Sequence, residues 1–316
     1  MSIVNLLSCV IDKKKFESIN DYIAFCSEFL KFSETGFQKK IISKNESHYQ
    51  FFQYKKDGNF NITRPINSEL MLVFDCFDDA STLFLDTIAR LRKGQVLLNK
   101  EDCRNNICSV LYTVQQSIGC VLDALPAGKS NQARKINGDL FERLIRLTIK
   151  EIGTQCVSGT MLIPVFDDNG NELFRASYQH DLLISKGDEL KIIGSVKTSS
   201  KDRIDKVFMD KFLYNKLTNT DLPHIAIFLN DVQRKNTRMK DEYGINATFL
   251  PGHFKAYTIK LNHLDGVYYC DLRPNMVTDE LLSTQIKTID HLFIDDLQIL
   301  LNRKGKSLQD IKISDN

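Results

Sequence analysis

The stretch ELKIIGSVKTSSKDR, residues 189–203, decides the fold. Its first nine residues carry four apolar side chains, three of them β-branched, which predicts a buried strand that ends at Lys197. Small hydroxyl residues and a charged cluster follow at once. A lysine in this place is either the polar end of a strand, with its stem packed and its amine in water, or the cation of an active site. The residues around it distinguish the two.

Strands and helices alternate on both sides of this stretch. Strands are predicted at 160–166, 172–178, 180–185, 189–197, 224–231, 257–261 and 266–272. Helices are predicted at 139–153, at 202–217 and, as one long amphipathic element, at 279–305. A helix, several adjacent strands, a helix and a further strand form a mixed β-sheet flanked by helices, which is an α/β fold.

The first 125 residues show a different pattern, which is mainly helical. Helical spacing of apolar residues covers 18–32, 68–94 and 103–125, and a hairpin is predicted at 48–65 around Asp57-Gly58. Proline, glycine, serine and basic residues at 126–135 predict a linker. We therefore expect a mainly helical N-terminal region, 1–128, for dimerisation or DNA clamping, and an α/β domain, 129–316.

Bulk composition excludes little. The 316 residues carry 42 basic and 40 acidic side chains, so a positive surface has to be local. Eight cysteines without a C-x-x-C pair are expected to be reduced thiols. With no signal peptide and no apolar run long enough for a bilayer, the sequence predicts a cytoplasmic protein with no membrane partner.

Antiparallel neighbours can bring an acid close to Lys197. Asp181 begins one predicted strand, and Ser195 and Lys197 end the next. A loop with an odd number of residues, centred on Gly187, places Asp181 opposite Ile193 and on the face of Lys197. A two-residue turn places Asp181 and Lys197 on opposite faces.

Asp181, a spacer and Ser195-Val196-Lys197 resemble the P-D…(D/E)-x-K nuclease core of many type II restriction endonucleases. His180 replaces the proline, and Ser195 replaces the acid before the lysine. One branch of that family, which recognises CCGG or CCNGG sites, is similar in having S-x-K, and it carries the missing acid in the following helix. Asp210, thirteen residues after Lys197, occupies the matching position.

Further residues fit that branch. Lys201-Asp202-Arg203 lies where the family reads C:G pairs, since Lys and Arg donate to guanine and Asp accepts from cytosine. Gly138-Asp139-Leu140-Phe141-Glu142 resembles the family's G-x-x-F-E setting, which makes Glu142 a further candidate metal ligand. The resemblance covers about 135–235.

The resemblance implies a type II restriction endonuclease that cleaves double-stranded DNA and leaves 5′-phosphate ends. It implies that Asp181, with Asp210 and Glu142, binds Mg²⁺, that Lys197 positions the attacking water, and that Ser195 belongs to the same catalytic set. A palindromic, C:G-rich site implies a homodimer, and a cognate DNA methyltransferase is expected as a genetic partner. The alternatives are a repair or modification-dependent nuclease of this fold and an inactive DNA-binding protein.

Each candidate residue also has an ordinary structural interpretation. Asp181 caps a strand, Lys197 ends one, and Glu142 pairs with a neighbouring arginine on its helix. Asp205 competes with Asp210 as the helical acid. The cluster Lys201-Asp202-Arg203 is a solvated helix start. His180 packs in the sheet and binds no metal, because no other histidine lies at ligand spacing.

Overall fold

The structure is a computed structural model that describes residues 2–56, 59–200, 203–237, 242–308 and 312–314. Lys201 and Asp202, the first two members of the predicted base-reading cluster, lie outside these ranges, as do Asp57 and Gly58 of the predicted hairpin turn. None of the helices in the described ranges is both long enough and apolar enough to cross a bilayer.

Helices make up most of the N-terminal third and flank the sheet that follows. They are α1 Ile3–Ile11, α2 Ile19–Gly36, α3 Phe74–Arg92, α4 Lys100–Leu122, α5 Ser130–Glu151, α6 Ile204–Thr218, α7 Pro251–Lys260, α8 Pro274–Thr278, α9 Glu280–Gln285, α10 Ile289–His291 and α11 Leu297–Leu301. A π-helical turn, Leu292–Asp296, joins α10 to α11.

Three sheets are present in the described part of the chain. Their strands are β1 Lys39–Ile42, β2 Tyr49–Lys56, β3 Asn59–Ile62, β4 Ile66–Asn67, β5 Gln155–Phe166, β6 Glu172–Lys186, β7 Glu189–Lys197, β8 His224–Phe228, β9 Val232–Asn236, β10 Tyr243–Ala247, β11 Gly266–Tyr269, β12 Ile286–Thr288, β13 Lys306–Ser307 and β14 Lys312–Ser314. The largest has the order β12-β11-β8-β7-β6-β5-β14, and β13 pairs with β7. Strands β5 to β7 are antiparallel, whereas β7, β8, β11 and β12 are parallel. The predicted mixed sheet flanked by helices is therefore confirmed.

The β6–β7 hairpin has a two-residue turn, the alternative expected to place Asp181 and Lys197 on opposite faces. Lys186 pairs with Glu189, and Gly187 takes the positive φ, 59°, that such a turn needs. A β-bulge follows, because Ile184 pairs with Ile192 but Ser185 pairs with Leu190. The extra residue, Lys191, shifts the register by one and returns the two strand ends to a common face.

Several predicted element boundaries were wrong. The linker interpretation of 126–135 fails from Ser130 onward, because α5 begins there and its exposed first turns tolerate polar residues. The predicted strands 172–178 and 180–185 are one strand, β6. Residues 257–261 lie mostly in α7, which Pro251 begins and which buries Phe254. The long helix at 279–305 is interrupted by β12, because this segment pairs with β11 at the edge of the sheet.

One hydrophobic core joins the N-terminal helices to the sheet. It contains Phe29 of α2, Leu111 of α4, Leu144 of α5, Val196 of β7 and Leu297 of α11, all almost inaccessible to water. The division into two regions at residue 128 stays a prediction, and this core contains residues from both sides of it. Helix α5 is therefore held rigidly between the helices and the sheet.

A buried polar network connects the small N-terminal sheet to the large one. The Tyr49 hydroxyl donates to Asp271 at 2.7 Å, and Asn67 Nδ2 donates to the same carboxylate at 2.9 Å. Burial raises the pKa of Asp271, since the charged form loses its hydration there. The two hydrogen bonds therefore stabilise a carboxylate that is only 2% exposed.

Tyr49→Phe is expected to lower the free energy of unfolding by about 1.5 to 3 kcal/mol, because it leaves this buried carboxylate with one donor fewer. Urea denaturation at neutral pH measures the change. Tyr257→Phe, whose partly buried ring packs on Phe208, serves as the control and is expected to change stability by less than about 0.5 kcal/mol. Equal effects of the two variants would contradict this role of Tyr49.

Candidate active site

Asp181 lies at an irregular point of β6. Leu183 pairs with Val157 and His180 with Gly159, so β6 has one extra residue here, at Asp181 and Leu182. On the other side Leu182 pairs with Gly194, and continuing this register by one residue places Asp181 opposite Ser195. Asp181 therefore shares a face with Lys197, as expected, but because of the bulge at Lys191 and not because of an odd-numbered loop.

Lys197 is held between two carboxylates. Its Nζ atom donates to Asp181 Oδ2 at 2.5 Å and to Glu142 Oε1 at 3.0 Å. The backbone N–H of Val196 also donates to Asp181 Oδ2, at 2.8 Å, which fixes the orientation of this carboxylate. The exposed fractions of the three side chains are 30% for Lys197, 23% for Glu142 and 13% for Asp181. The cluster is therefore partly desolvated but still open to a ligand.

Burial and neighbouring charges both shift the pKa values of this cluster. Burial lowers the pKa of Lys197, but the charges of Asp181 and Glu142 outweigh it and raise the pKa above its ordinary value, so that the amine stays protonated. Burial and the charge of Asp181 raise the pKa of Glu142 to about 7, although Lys197 acts against them. A cation and two carboxylates, one of which titrates near neutral pH, are typical of a catalytic site.

The Glu142 carboxyl is expected to destabilise the metal-free protein as the pH rises. Its native pKa is raised, so the native state binds more protons than the unfolded chain between about pH 4.5 and pH 7, and stability falls as the pH rises through this range. Between about pH 5.5 and pH 8, the wild type is expected to lose about 2 kcal/mol more than Glu142→Gln. Urea denaturation in EDTA measures the difference. Glu151→Gln, an exposed change at the end of the same helix, is expected to follow the wild type.

The two helical acids of α6 have different surroundings. Asp210 is 16% exposed, with Lys206 Nζ at 3.6 Å from its carboxylate. Burial raises the pKa of Asp210, and the charges of Asp181 and Lys197 also act on this pKa, so Asp210 faces the cluster. Asp205 lies five residues earlier, at roughly 140° around the helix, and its Oδ1 atom is buried without a hydrogen-bond partner among the described residues.

The remaining predicted residues are placed as follows. Ser195 is partly buried in β7, next to Ala226 of β8. Arg203 is exposed and immediately precedes α6. His180 is buried beside the Tyr178 ring, and burial lowers its pKa to about 4, so this imidazole is neutral at pH 7. The interpretation of His180 as a packed residue agrees with this environment.

The donor set suits a hard divalent cation in part. Asp181 and Glu142 offer carboxylate oxygens, which Mg²⁺ prefers, and both contact one Nζ atom. In the described ranges no three His, Cys, Asp or Glu side chains come close enough together to hold a metal ion. Asp210 is near enough to sense the charge of Asp181 but does not complete such a group. The carboxylates of Asp181 and Glu142 repel each other, which contributes to the raised pKa of Glu142. A cation bound by both would offset this repulsion.

The sequence did not predict one buried cluster of charged residues. Asp231, which follows β8, is fully buried, and its Oδ1 atom is 3.8 Å from Arg273 Nε. Arg273 also donates to Glu46 at 2.6 Å. Burial raises the pKa of Asp231 to about 6. The partners come from distant parts of the chain, so no local pattern indicates this cluster.

Comparisons with known proteins extend this description. No protein-family model matches the chain, and no curated protein matches it. In structure the chain is similar to the type IIP restriction endonuclease Kpn2I, with a TM-score of 0.67 and 14% identity over 96% of this chain and 99% of that one. A complex of the restriction endonuclease PspGI with its substrate DNA aligns with a TM-score of 0.39 and 12% identity over 72% of this chain and 92% of that one.

The chain has a restriction-endonuclease fold, the fold of Kpn2I. The similarity to Kpn2I includes the N-terminal helices, because it covers nearly the whole of both chains. The sequence resemblance was limited to about 135–235, so the shared fold is larger than the motif indicated. The CCGG or CCNGG branch stays a prediction.

Proposed function

We propose that this protein is a type II restriction endonuclease that cleaves double-stranded DNA at a specific site in the presence of Mg²⁺. The observation that carries the proposal is the contact of Lys197 Nζ with both Asp181 and Glu142, in a chain with a restriction-endonuclease fold. An S-x-K strand end next to two carboxylates suits phosphodiester hydrolysis, in which negative charge develops on the phosphate. A homodimer on a palindromic C:G-rich site, with a methyltransferase as genetic partner, belongs to the same proposal.

The residues of the chain have distinct roles in this mechanism. Asp181, Glu142 and Asp210 would hold Mg²⁺, which offsets phosphate charge and acidifies water when bound. Lys197 is protonated in this arrangement, so it orients the attacking water and stabilises charge and does not act as a base. The Val196 N–H keeps the Asp181 carboxylate directed at the same point. Attack of the water on phosphorus breaks the bond between phosphorus and the 3′ oxygen, which leaves as a 3′-hydroxyl once protonated, and the phosphate stays on the 5′ end.

The direct test is digestion of unmethylated plasmid and phage DNA. The purified protein is expected to give discrete fragments with Mg²⁺, no cleavage in EDTA, and ends that DNA ligase rejoins without kinase treatment. Intact DNA in every metal tested would overturn the endonuclease proposal. Cleavage of methylated DNA alone would favour a modification-dependent nuclease of the same fold.

Asp210→Ala is expected to lower the cleavage rate by about 100-fold or more, because it removes the carboxylate of α6 that faces the cluster. Asp205→Ala, on another side of the same helix, is expected to change the rate by less than about 3-fold. Single-turnover cleavage of one plasmid by both variants measures the difference. If Asp205→Ala is the slower variant, the assignment of Asp210 is wrong.

A further inference from the structure

A basic surface lies on the small sheet and on the hairpin packed against it. We define this flank surface by Lys39 of β1, Lys55 of β2, and Arg234 and Lys235 of β9, all of which are exposed. Segments 37–67 and 232–247 contain ten Lys or Arg against four Asp or Glu, whereas the whole chain has an excess of two. Two of the four acids, Glu46 and Glu242, form ion pairs with Arg273 and Lys44. The net positive charge of the protein is therefore concentrated here.

The register of the small sheet places Lys39 and Lys55 in one row beside Arg234, and Lys235, the next residue of β9, extends the basic surface onto the outer face of the hairpin. Lys39 pairs with Gln53, and Gln53 pairs with Ile62. Lys55 lies two residues after Gln53 and so on the same face. Arg234 Nη1 donates to the Ile62 carbonyl at 3.1 Å, which places the hairpin over this row. With strands about 4.8 Å apart, the whole row is roughly 10 Å wide.

A small hydrophobic core makes the surface rigid. Ile41, Tyr49 and Phe51 of the sheet pack with Val232 and Ile245 of the hairpin. Because this contact is buried, the backbones that carry the basic residues keep a constant relative position. Fixed charges lose less conformational entropy on binding than flexible ones do.

The flank surface follows the candidate active site closely along the chain. Lys197 pairs with Phe228 of β8, and β9 begins four residues later at Val232. Arg234 is six positions after Phe228, and β7 and β8 are about 4.8 Å apart, so Arg234 lies within roughly 26 Å of Lys197. This is about eight base pairs along a duplex.

The base of the hairpin also contacts the segment that leads to the predicted base readers. Ser200 N donates to the Asn230 carbonyl at 3.3 Å, and Thr248 N donates to the Asp231 carbonyl at 2.6 Å. Ser200 immediately precedes the predicted cluster. Ser200 and the base of the hairpin therefore lie on the same side of the sheet.

We infer that the flank surface binds the phosphate backbone of duplex DNA outside the cleavage site. This inference rests on the proposed function, which supplies the DNA. Lys39, Lys55 and Lys235 have no acidic partner within ion-pair distance among the described residues, so their charges are available to phosphates. The contact is independent of sequence, and it adds affinity and no specificity.

The test removes three charges from the flank surface and three from the end of the large sheet where β7 begins. Lys39→Gln, Lys55→Gln and Lys235→Gln are combined in one variant, and Arg234 is kept because its bond to Ile62 positions the hairpin. The control combines Lys186→Gln, Lys304→Gln and Lys306→Gln, near the start of β7 and far from Lys197. Binding of a fluorescent duplex of about 30 base pairs is followed in EDTA by anisotropy between about 50 and 200 mM salt.

The flank variant is expected to bind at least about 10-fold more weakly, with a slope of log K against log salt that is smaller by roughly 2 to 3. The control variant is expected to keep the wild-type slope. Combining Lys39→Arg, Lys55→Arg and Lys235→Arg restores the charges and is expected to restore binding. If the flank variant binds like the wild type, or if the control variant is equally weakened, this inference is overturned and the proposed function is not affected. A wild type that binds no DNA overturns the proposed function as well.

Discussion

Lys197→Ala is expected to lower the rate of DNA cleavage by about 10³-fold, because it removes the cation that orients water and stabilises charge at the phosphate. Lys197→Arg is expected to be nearly as slow, since the guanidinium cannot reproduce a single ammonium held between two carboxylates. Single-turnover cleavage with Mg²⁺ measures both rates.

Lys186→Ala is the matched control. Lys186 is exposed and ends β6 at the turn before β7, whereas Lys197 is at the far end of β7. It is expected to cleave DNA at the wild-type rate. Binding of the same DNA by Lys197→Ala in EDTA should stay within about 3-fold of the wild type, which separates catalysis from affinity. An active Lys197→Ala variant would remove the basis of the proposed mechanism.

Asp181→Ala is expected to abolish cleavage to a similar extent, about 10³-fold, and also to remove the stabilisation of the protein by Mg²⁺. Asp181 Oδ2 accepts hydrogen bonds from both Lys197 and the Val196 N–H, so this carboxylate is the most constrained oxygen donor of the cluster. The measurements are the cleavage rate and the shift of the melting temperature in about 10 mM Mg²⁺ relative to EDTA.

Asp188→Ala, in the exposed turn of the same hairpin, tests whether any loss of an acid has this effect. It is expected to cleave normally and to keep the Mg²⁺ shift. If Asp181→Ala keeps the full Mg²⁺ shift, then Asp181 is not a metal ligand, and Glu142 with Asp210 would have to hold the ion.

Much of the fold follows from local patterns. β7 spans 189–197 as predicted, because its apolar, β-branched residues favour a strand in almost any context. Segments with weaker patterns were predicted less well. Residues 257–261 have strand-like composition, yet most of them lie in the helix α7, which begins at Pro251. Tyr257 of this helix packs on Phe208. Tertiary contacts outweigh propensity where propensity is weak.

The candidate site was predicted only as a set of residues. Spacing and residue type selected Asp181, Lys197, Glu142 and Asp210, but no local pattern states that Glu142 contacts Lys197, which lies 55 residues away. The contact exists because the shared core fixes α5 against the sheet. The acids near Arg273 were missed for the same reason.

The sequence by itself determined that a buried strand ends in Lys197, that an aspartate lies on the preceding strand and that a helix with an acid follows, because periodicity and composition are local properties. Only the tertiary structure decided that these groups meet. A two-residue turn alone places Asp181 and Lys197 on opposite faces, and the bulge at Lys191 reverses this. One inserted residue changes the face of a whole strand end, and its position depends on how the sheet packs and not on the residues of the strand alone.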